Sequence, residues 1–458
     1  MTNALSGLAS GLDTTSLIQS MMAAASQPKT LLDQQITTEQ TTVGDLQKLN
    51  AAFASLAQLT DPFTGTPLAA FAVASSQAST ATATADATAT PGQLSFTVDS
   101  LATRQVEVTG ALAAWPTNPP GLTIVAADGT RTSITPGSSS LDSVAQAINA
   151  AGAGVTALTV KAGTDAAGNA LYRLQLSSSQ TGADAAFSVL DANGADIMAQ
   201  PGGAVVSTAQ DAQLTLWPGT AAAQTVTSSS NEFDDLMPGV DVTVAQTSSE
   251  PVTLSVDQDL DAEAQTVSTL VSSVESILSG IAQGAATTTT TDSSGNTSVV
   301  FGSFTADGTV RQAGSALTDA MTLDVNGVSP SSIGIELDKD GSITFDQDTF
   351  EAAMASDPQG TTQLFTAISA RVNAASTQAS DPYTGTISSE ITSDNDSITA
   401  MQTKSDDMQT LLDQQQATLQ QQFAYMETMM SQIQSQGSYV QSYIDALSGT
   451  SSSSSSSK

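Results

Sequence analysis

Two heptad-patterned helical segments, one at each end of a 458-residue chain, enclose a Thr/Ser/Ala/Gly-rich middle with strand-like alternation, and this layout restricts the fold more than any other feature. From Ile387 the apolar positions run Ile391, Ile398, Met401, Met408, Leu412, Leu419, Phe423, Met426, Met430, Ile433, Val440, Ile444 and Leu447. Their three/four spacing is that of a coiled-coil seam. Near the other end, Leu32, Ile36, Val43, Leu46, Leu49, Phe53 and Leu56 form a similar stripe behind Pro28, which suits the first turn of a helix and not its interior. Neither stripe can bury itself, so each requires a partner helix from this chain or from a neighbour. Asp394, Ser405 and Gln415 are polar occupants of the C-terminal seam. After Leu419 the next core step is again four residues, to Phe423, a stutter that locally unwinds a left-handed supercoil and suits a helix that packs conditionally.

Charge narrows the choice of partners. With 45 acidic residues against 11 basic ones the formal net charge is -34, which repels polyanions and argues against nucleic acid. No Lys or Arg lies between Arg173 and Arg311, so the central body has no basic patch for phosphate or anionic lipid. The chain has no Cys and no His, which removes thiol nucleophiles, disulfides, the usual zinc ligand sets and imidazole acid–base chemistry. No cofactor and no metal is expected. No apolar run approaches the ~18 residues that span a bilayer, and no basic residue precedes Lys29 to begin a signal peptide. Neither membrane insertion nor a Sec signal is therefore expected.

The pattern along the chain places a lead over 1–13, with Asp13 or Thr14 capping a helix that runs to about Leu59 and breaks near Pro28. Strands are expected over 93–98, 105–108, 155–160, 172–176, 214–216, 240–244, 333–337 and 343–345. Helices are expected over 141–151, 262–281, 350–355 and 361–375, and an exposed loop over the Thr/Ser/Gly-rich stretch 285–298. Asp61-Pro62-Phe63-Thr64-Gly65 and Asp381-Pro382-Tyr383-Thr384-Gly385 are near-copies that stop helices.

Three motifs with chemical associations have plainer readings. Gly152-Ala153-Gly154-Val155-Thr156-Ala157 fits G-x-G-x-x-A, but it follows a helix and opens a strand, the reverse of a dinucleotide fingerprint. Asp338-Lys339-Asp340-Gly341-Ser342 and Asp257-Gln258-Asp259-Leu260-Asp261 begin like calcium loops but lack Gly at the sixth position, so they read as a β-turn and a solvated acidic segment. The stripe of Met401, Met408, Met426, Met429 and Met430 reads first as coiled-coil core and second as an adaptable binding face, and the two can coexist in a helix that changes partners.

Together these segments resemble the flagellar hook-associated protein 2 family, the flagellar filament cap proteins, from end to end. Ser6-Gly7-Leu8-Ala9-Ser10-Gly11-Leu12-Asp13 with Leu17-Ile18 and Met21-Met22 is similar to that family's opening signature. Gly92 with Phe96-Thr97-Val98 and Leu101-Ala102, and Ile148-Asn149-Ala150 with Gly154-Val155, resemble its head elements. Ala209-Gln210-Asp211-Ala212 and Ser229-Ser230-Asn231-Glu232-Phe233 through Met237-Pro238-Gly239-Val240 resemble its central motifs. Ile333-Gly334-Ile335 with Asp340-Gly341 and Phe345-Asp346 resembles a later segment, and Gln422-Phe423-Ala424 to Met429-Met430-Ser431 with Gln436-Gly437-Ser438-Tyr439 its C-terminal pattern. One departure is Ser228, where the family often has Arg before the Ser-Ser-Asn.

The resemblance implies a multidomain α+β fold. Coiled-coil-like legs would occupy 1–62 and 386–450, a mixed helical/strand domain 63–80 with 256–385, and a β-rich head 81–105 with 207–255. An outer β-rich head would be inserted over 106–206, and a disordered serine tail would fill 451–458. It further implies a non-enzymatic homo-oligomer, commonly a pentamer, at the filament tip, exported by the flagellar type III apparatus. Its implied partners are flagellin, the hook–filament junction protein and an export chaperone at the C-terminal region. The runner-up reading is an extracellular adhesin or another axial subunit, such as flagellin or a junction protein. An adhesin requires an anchor or secretion signal, whereas an axial subunit requires terminal helices that order on docking.

Overall fold

The computed structural model describes residues 13–291 and 295–450, with side chains through 446. The signature residues ahead of Asp13, the Leu447 side chain and the serine tail over 451–458 fall outside what is described. The chain is α+β and forms two compact units, one from residues up to Pro67 with those from Val267 onward, the other Leu68–Thr266. Helices α1 (Thr14–Ala25) and α2 (Gln27–Thr60) open the first unit. Asp13 caps α1 by accepting from the Ser16 N–H at 3.0 Å, and Pro28 sits in the first turn of α2, where no helical hydrogen bond is lost.

The second unit begins with β1 (Phe71–Ser75), β2 (Ala81–Ala85), β3 (Gly92–Ser100) and β4 (Val106–Val108). There follow β5 (Leu122–Ala126), β6 (Arg131–Ile134), α3 (Leu141–Ala151), β7 (Val155–Thr164), β8 (Ala170–Ser178), β9 (Phe187–Asp191) and β10 (Ala204–Ser207). It closes with β11 (Ala212–Leu216), β12 (Gln224–Ser228), β13 (Glu232–Met237), β14 (Val240–Val244) and β15 (Ser248–Gln258). A five-stranded sheet in the order β1-β15-β3-β11-β12 faces a three-stranded sheet β13-β14-β2. Their shared core takes Leu94, Phe96 and Val98 of β3, Val252, Leu254 and Val256 of β15, and Val240, Val242 and Val244 of β14. Alternation along each strand supplies these side chains, since every second residue points to one face. A separate core lies within Trp115–Ile197, where the sheets β10-β4-β8-β7 and β6-β5-β9 enclose α3 through Val144, Ile148, Leu174, Leu176 and Val189.

β1 pairs antiparallel with β15 from Phe71↔Gln258 to Ser75↔Leu254, within the compact unit Leu68–Thr266. Glu263, fully buried near the start of α4 (Leu260–Ala285), accepts the Ala70 N–H at 3.0 Å and so ties in the approach to β1. The Gly-rich motif after α3 is a helix-to-strand turn into β7, as its order required.

The remainder of the first unit runs from β16 (Thr287–Thr291) and β17 (Thr297–Phe301) to α5 (Gly308–Thr322), β18 (Ile335–Leu337), β19 (Ile343–Phe345), α6 (Gln347–Ser356), α7 (Pro358–Ser380) and α8 (Thr386–Thr450). Within the expected loop over 285–298, Thr287–Thr291 instead forms a strand, because this run of β-branched threonines pairs antiparallel and in register with Thr297–Phe301. Asp338–Ser342 forms the turn between β18 and β19, with the Asp340 carboxylate accepting from the Ser342 N–H and hydroxyl. Helix α2 packs on both α7 and α8, and α5 packs on α7.

One buried carboxylate in the second unit is a liability at neutral pH. Glu107 is 6% exposed; one oxygen accepts from Gln105 Nε2 at 2.6 Å, and the other has no partner. Burial, followed by repulsion from Asp196, raises its pKa despite the Gln105 hydrogen bond. A folded-state pKa above the unfolded one gives a contribution that is full below the unfolded value and is lost as pH rises through the folded value. Glu107→Gln keeps the acceptor oxygen and removes the charge. It should raise stability at pH 7 by about 1 kcal/mol and flatten the pH dependence above the ordinary carboxylate range. Thermal melts of both proteins from pH 4 to 8 check this, and parallel curves would refute it.

Candidate assembly interface

The seam begins where α2 meets α8. Leu32, Ile36 and Val43 of α2 close over Ile398 of α8, with Ile391, Met401 and Met408 packed alongside. Leu46, Leu49 and Phe53 continue the α2 stripe and are buried, as are Ile387 and Leu412 of α8. Of the polar seam occupants, Ser405 is buried and its hydroxyl donates to the Asp33 carboxylate, which also accepts from Lys29 Nζ at 2.8 Å. These hydrogen bonds, that of Lys29 first, hold the Asp33 carboxyl below its ordinary range. A polar contact in a helix seam, here partly buried, fixes register along the pair at some cost in stability. Asp394 is partly buried and Gln415 is exposed. Burial and then the nearby Asp307 raise the pKa of both Glu390 and Asp394, so the start of α8 holds two carboxyls that resist ionisation.

The rest of α8 is covered progressively less. Helix α1 packs against it, and Leu419 and Phe423 are half-buried. From there the predicted seam is bare: Met426, Met430, Ile433 and Val440 are 40%, 36%, 59% and 54% exposed, and Ile444 is 54% exposed. The stripe continues the same helical face, and none of its five residues is buried by the described residues.

Sequence reasoning assigned no mechanical role to the central motifs, and the structure supplies one. Two of their contacts stay within the first β-rich core, and two reach across to the segment 181–183 that leads into β9. The Asn231 side-chain oxygen accepts the Ala102 N–H at 2.7 Å, and Gln210 Nε2 donates to the Leu101 carbonyl at 3.0 Å. The Asp211 carboxylate accepts the Ala183 N–H at 2.7 Å, and Thr181 Oγ1 donates to the Ser229 carbonyl at 2.8 Å. Gly182, at φ 97°, lies so near Ser229 that a Cβ there would collide with it. Ser228, where Arg is common in the family resembled, donates its hydroxyl to the Glu232 carbonyl at 2.6 Å and so closes the turn between β12 and β13 without a charge.

Among the described residues, no group of three or more Asp or Glu is arranged to hold a metal ion. No described helix is long and apolar enough to cross a membrane. The described residues make a multidomain α+β chain with helical ends and a β-rich body. Sequence models of the flagellar hook-associated protein 2 N-terminus and C-terminus match residues 10–105 and 209–435, and the chain belongs to that family.

Among the solved structures that are similar to the chain, that of the Escherichia coli cap protein shares its fold. The D1-D2-D3 domains of the Escherichia coli flagellar cap protein FliD are 23% identical with a TM-score of 0.59, covering 77% of this chain and 99% of that one. The D2-D3 domains of the Serratia marcescens cap protein are 27% identical (TM-score 0.32, 39% of this chain and 100% of that one). The Pseudomonas aeruginosa FliD is 24% identical (TM-score 0.34, 43% and 93%). No curated protein sequence matches the chain at a significant level.

Proposed function

We propose that this chain is a non-enzymatic cap subunit at the distal tip of a bacterial flagellar filament, where copies form a ring that guides flagellin into the lattice and prevents subunit loss. The observation that carries the reading is family membership reaching both helical ends, 10–105 and 209–435. In this reading the seam residues from Leu32 to Phe53 and from Ile398 to Val440 form the legs, and the two β-rich cores form the heads. The uncovered stripe of α8 supports a leg that takes its partner from outside the chain, since isolated amphipathic helix is marginal in water. Before export that partner is a chaperone at the C-terminal region; afterwards it is the filament, next to the junction protein or flagellin. The ring is commonly of five copies in the family, and its site of action is extracellular.

Electron microscopy of filament tips in a strain lacking this protein tests the proposal. Tips should lose their terminal plate, filaments should shorten and flagellin should accumulate in the medium, with recovery on complementation. Full-length, capped filaments in the deletion strain would overturn it.

A further inference from the structure

Among the described residues, the β16–β17 hairpin has no third strand beside it. All ten residues of Thr287–Thr291 and Thr297–Phe301 are exposed, including Val299 at 53%, Val300 at 51% and Phe301 at 69%. A lone two-stranded hairpin is marginal in water and gains stability from a third strand or a packed face. Its root, by contrast, is firm. The Gly302 N–H donates to the Ala286 carbonyl at 3.1 Å, the Phe304 N–H donates to the Gly284 carbonyl at 2.8 Å, and Ser303 Oγ donates to the Asp45 carboxylate of α2 at 2.7 Å. A Cβ on Gly284 would strike the Phe304 ring, and one on Gly302 the Gly284 carbonyl, so this close approach admits only glycine. The fold therefore presents an unpartnered ribbon from a rigid base.

Both long edges of the ribbon lack the usual protection. Natural sheets blunt free edges with Lys, Pro, inward charges or a covering element. Here Asp292 is the only charged residue between Glu275 and Asp307, and neither strand contains a Pro. Against a formal charge of -34 for the whole chain, this neutral stretch is where a second copy meets least repulsion. We infer that the β16–β17 arm is a self-association element, with the β16 edge of one copy adding to the β17 edge of the next. Head-to-tail addition is preferred over a two-fold pairing because it leaves no edge bare once a ring closes. The inference rests on the ring proposed above and assigns it a contact.

The absence of native cysteine makes the test clean. Single variants Thr289→Cys and Val299→Cys are treated with a short bismaleimide, separately and mixed, in the full-length protein. The mixture should give a cross-linked dimer at several times the yield of either variant alone. In parallel, Val300→Lys and a variant with 287–301 replaced by a short Gly/Ser link should shift half-assembly, followed by sedimentation velocity, to at least ~10-fold higher concentration. Thermal melts should match the parent, since these residues contribute to no core. A parent that assembles with both variants assembling equally, or cross-links no richer in the mixture, overturns the arm and leaves the ring standing. A parent that stays monomeric at every concentration overturns both.

Discussion

Replacing Phe365 with alanine should destabilise the first unit by about 3–5 kcal/mol, the cost of truncating a fully buried Phe whose cavity cannot collapse. Phe365 lies on α7 with no exposed surface, and its ring meets Phe63 edge-on at a centroid distance of 5.5 Å and an interplanar angle of 72°. That pair adds about 0.5–1.5 kcal/mol beyond area burial. Phe63 closes the short turn that ends α2, so the contact pins the end of one long helix to the middle of another. At about 2–4 °C per kcal/mol for domains of 150–250 residues, the melting transition of this unit should fall by roughly 10 °C. The β-rich unit has its own cores and acts as an internal control. Calorimetry of the intact chain should show one transition lowered and the other in place, and a loss under ~1 kcal/mol would mean that neighbouring side chains refill the site.

That contact was not legible in the sequence, although both of its helices were. The 3.6-residue period placed α2, α3, α4 and α7, and alternation placed β3, β7 and β14, because local spacing reports which face of an element is buried. It does not report what buries it. Phe63 and Phe365 are 302 positions apart, and nothing near either one names the other. The same limit applies to β1. β1 has an ordinary strand pattern, but its partner β15 lies more than 170 residues away, and only the pairing assigns it to the β-rich unit. The hairpin failed for another reason. Five consecutive threonines have loop-like polarity but β-branched stiffness, and the latter decides once a facing strand exists.

At the candidate interface the sequence showed two apolar stripes and could not divide them. Every N-terminal seam residue is buried, whereas the C-terminal seam is buried or half-buried only through Phe423. One unbroken pattern thus covers two physical situations. The central motifs were recognisable by resemblance, but the contacts by which they join the two β-rich halves depend on side-chain geometry at Asp211 and Thr181 that spacing does not encode.

Amide hydrogen exchange along α8 should therefore change abruptly within a single continuous helix. Its 65 residues span about 98 Å at 1.5 Å per residue, a length that α2 and α1 do not cover. Over residues 387–412, opening must break the seam with α2, where Ile387, Ile398, Ser405 and Leu412 are buried, so exchange should require disruption of the unit itself. For a domain of ordinary stability that gives protection factors on the order of 10³ or more. Over residues 430–446 the backbone is helical, but Ile433, Val440 and Ile444 are more than half exposed, and fraying from the end costs little more than helix propensity. Protection there should be at least ~100-fold lower, with no sharp boundary in helicity by circular dichroism to account for it. Uniform protection through residue 446 in dilute monomer would mean that the far half of α8 is stable without a partner, and would remove the reason for seeking one outside the chain. If the step is present and vanishes on assembly, the bare stripe is the surface that assembly covers.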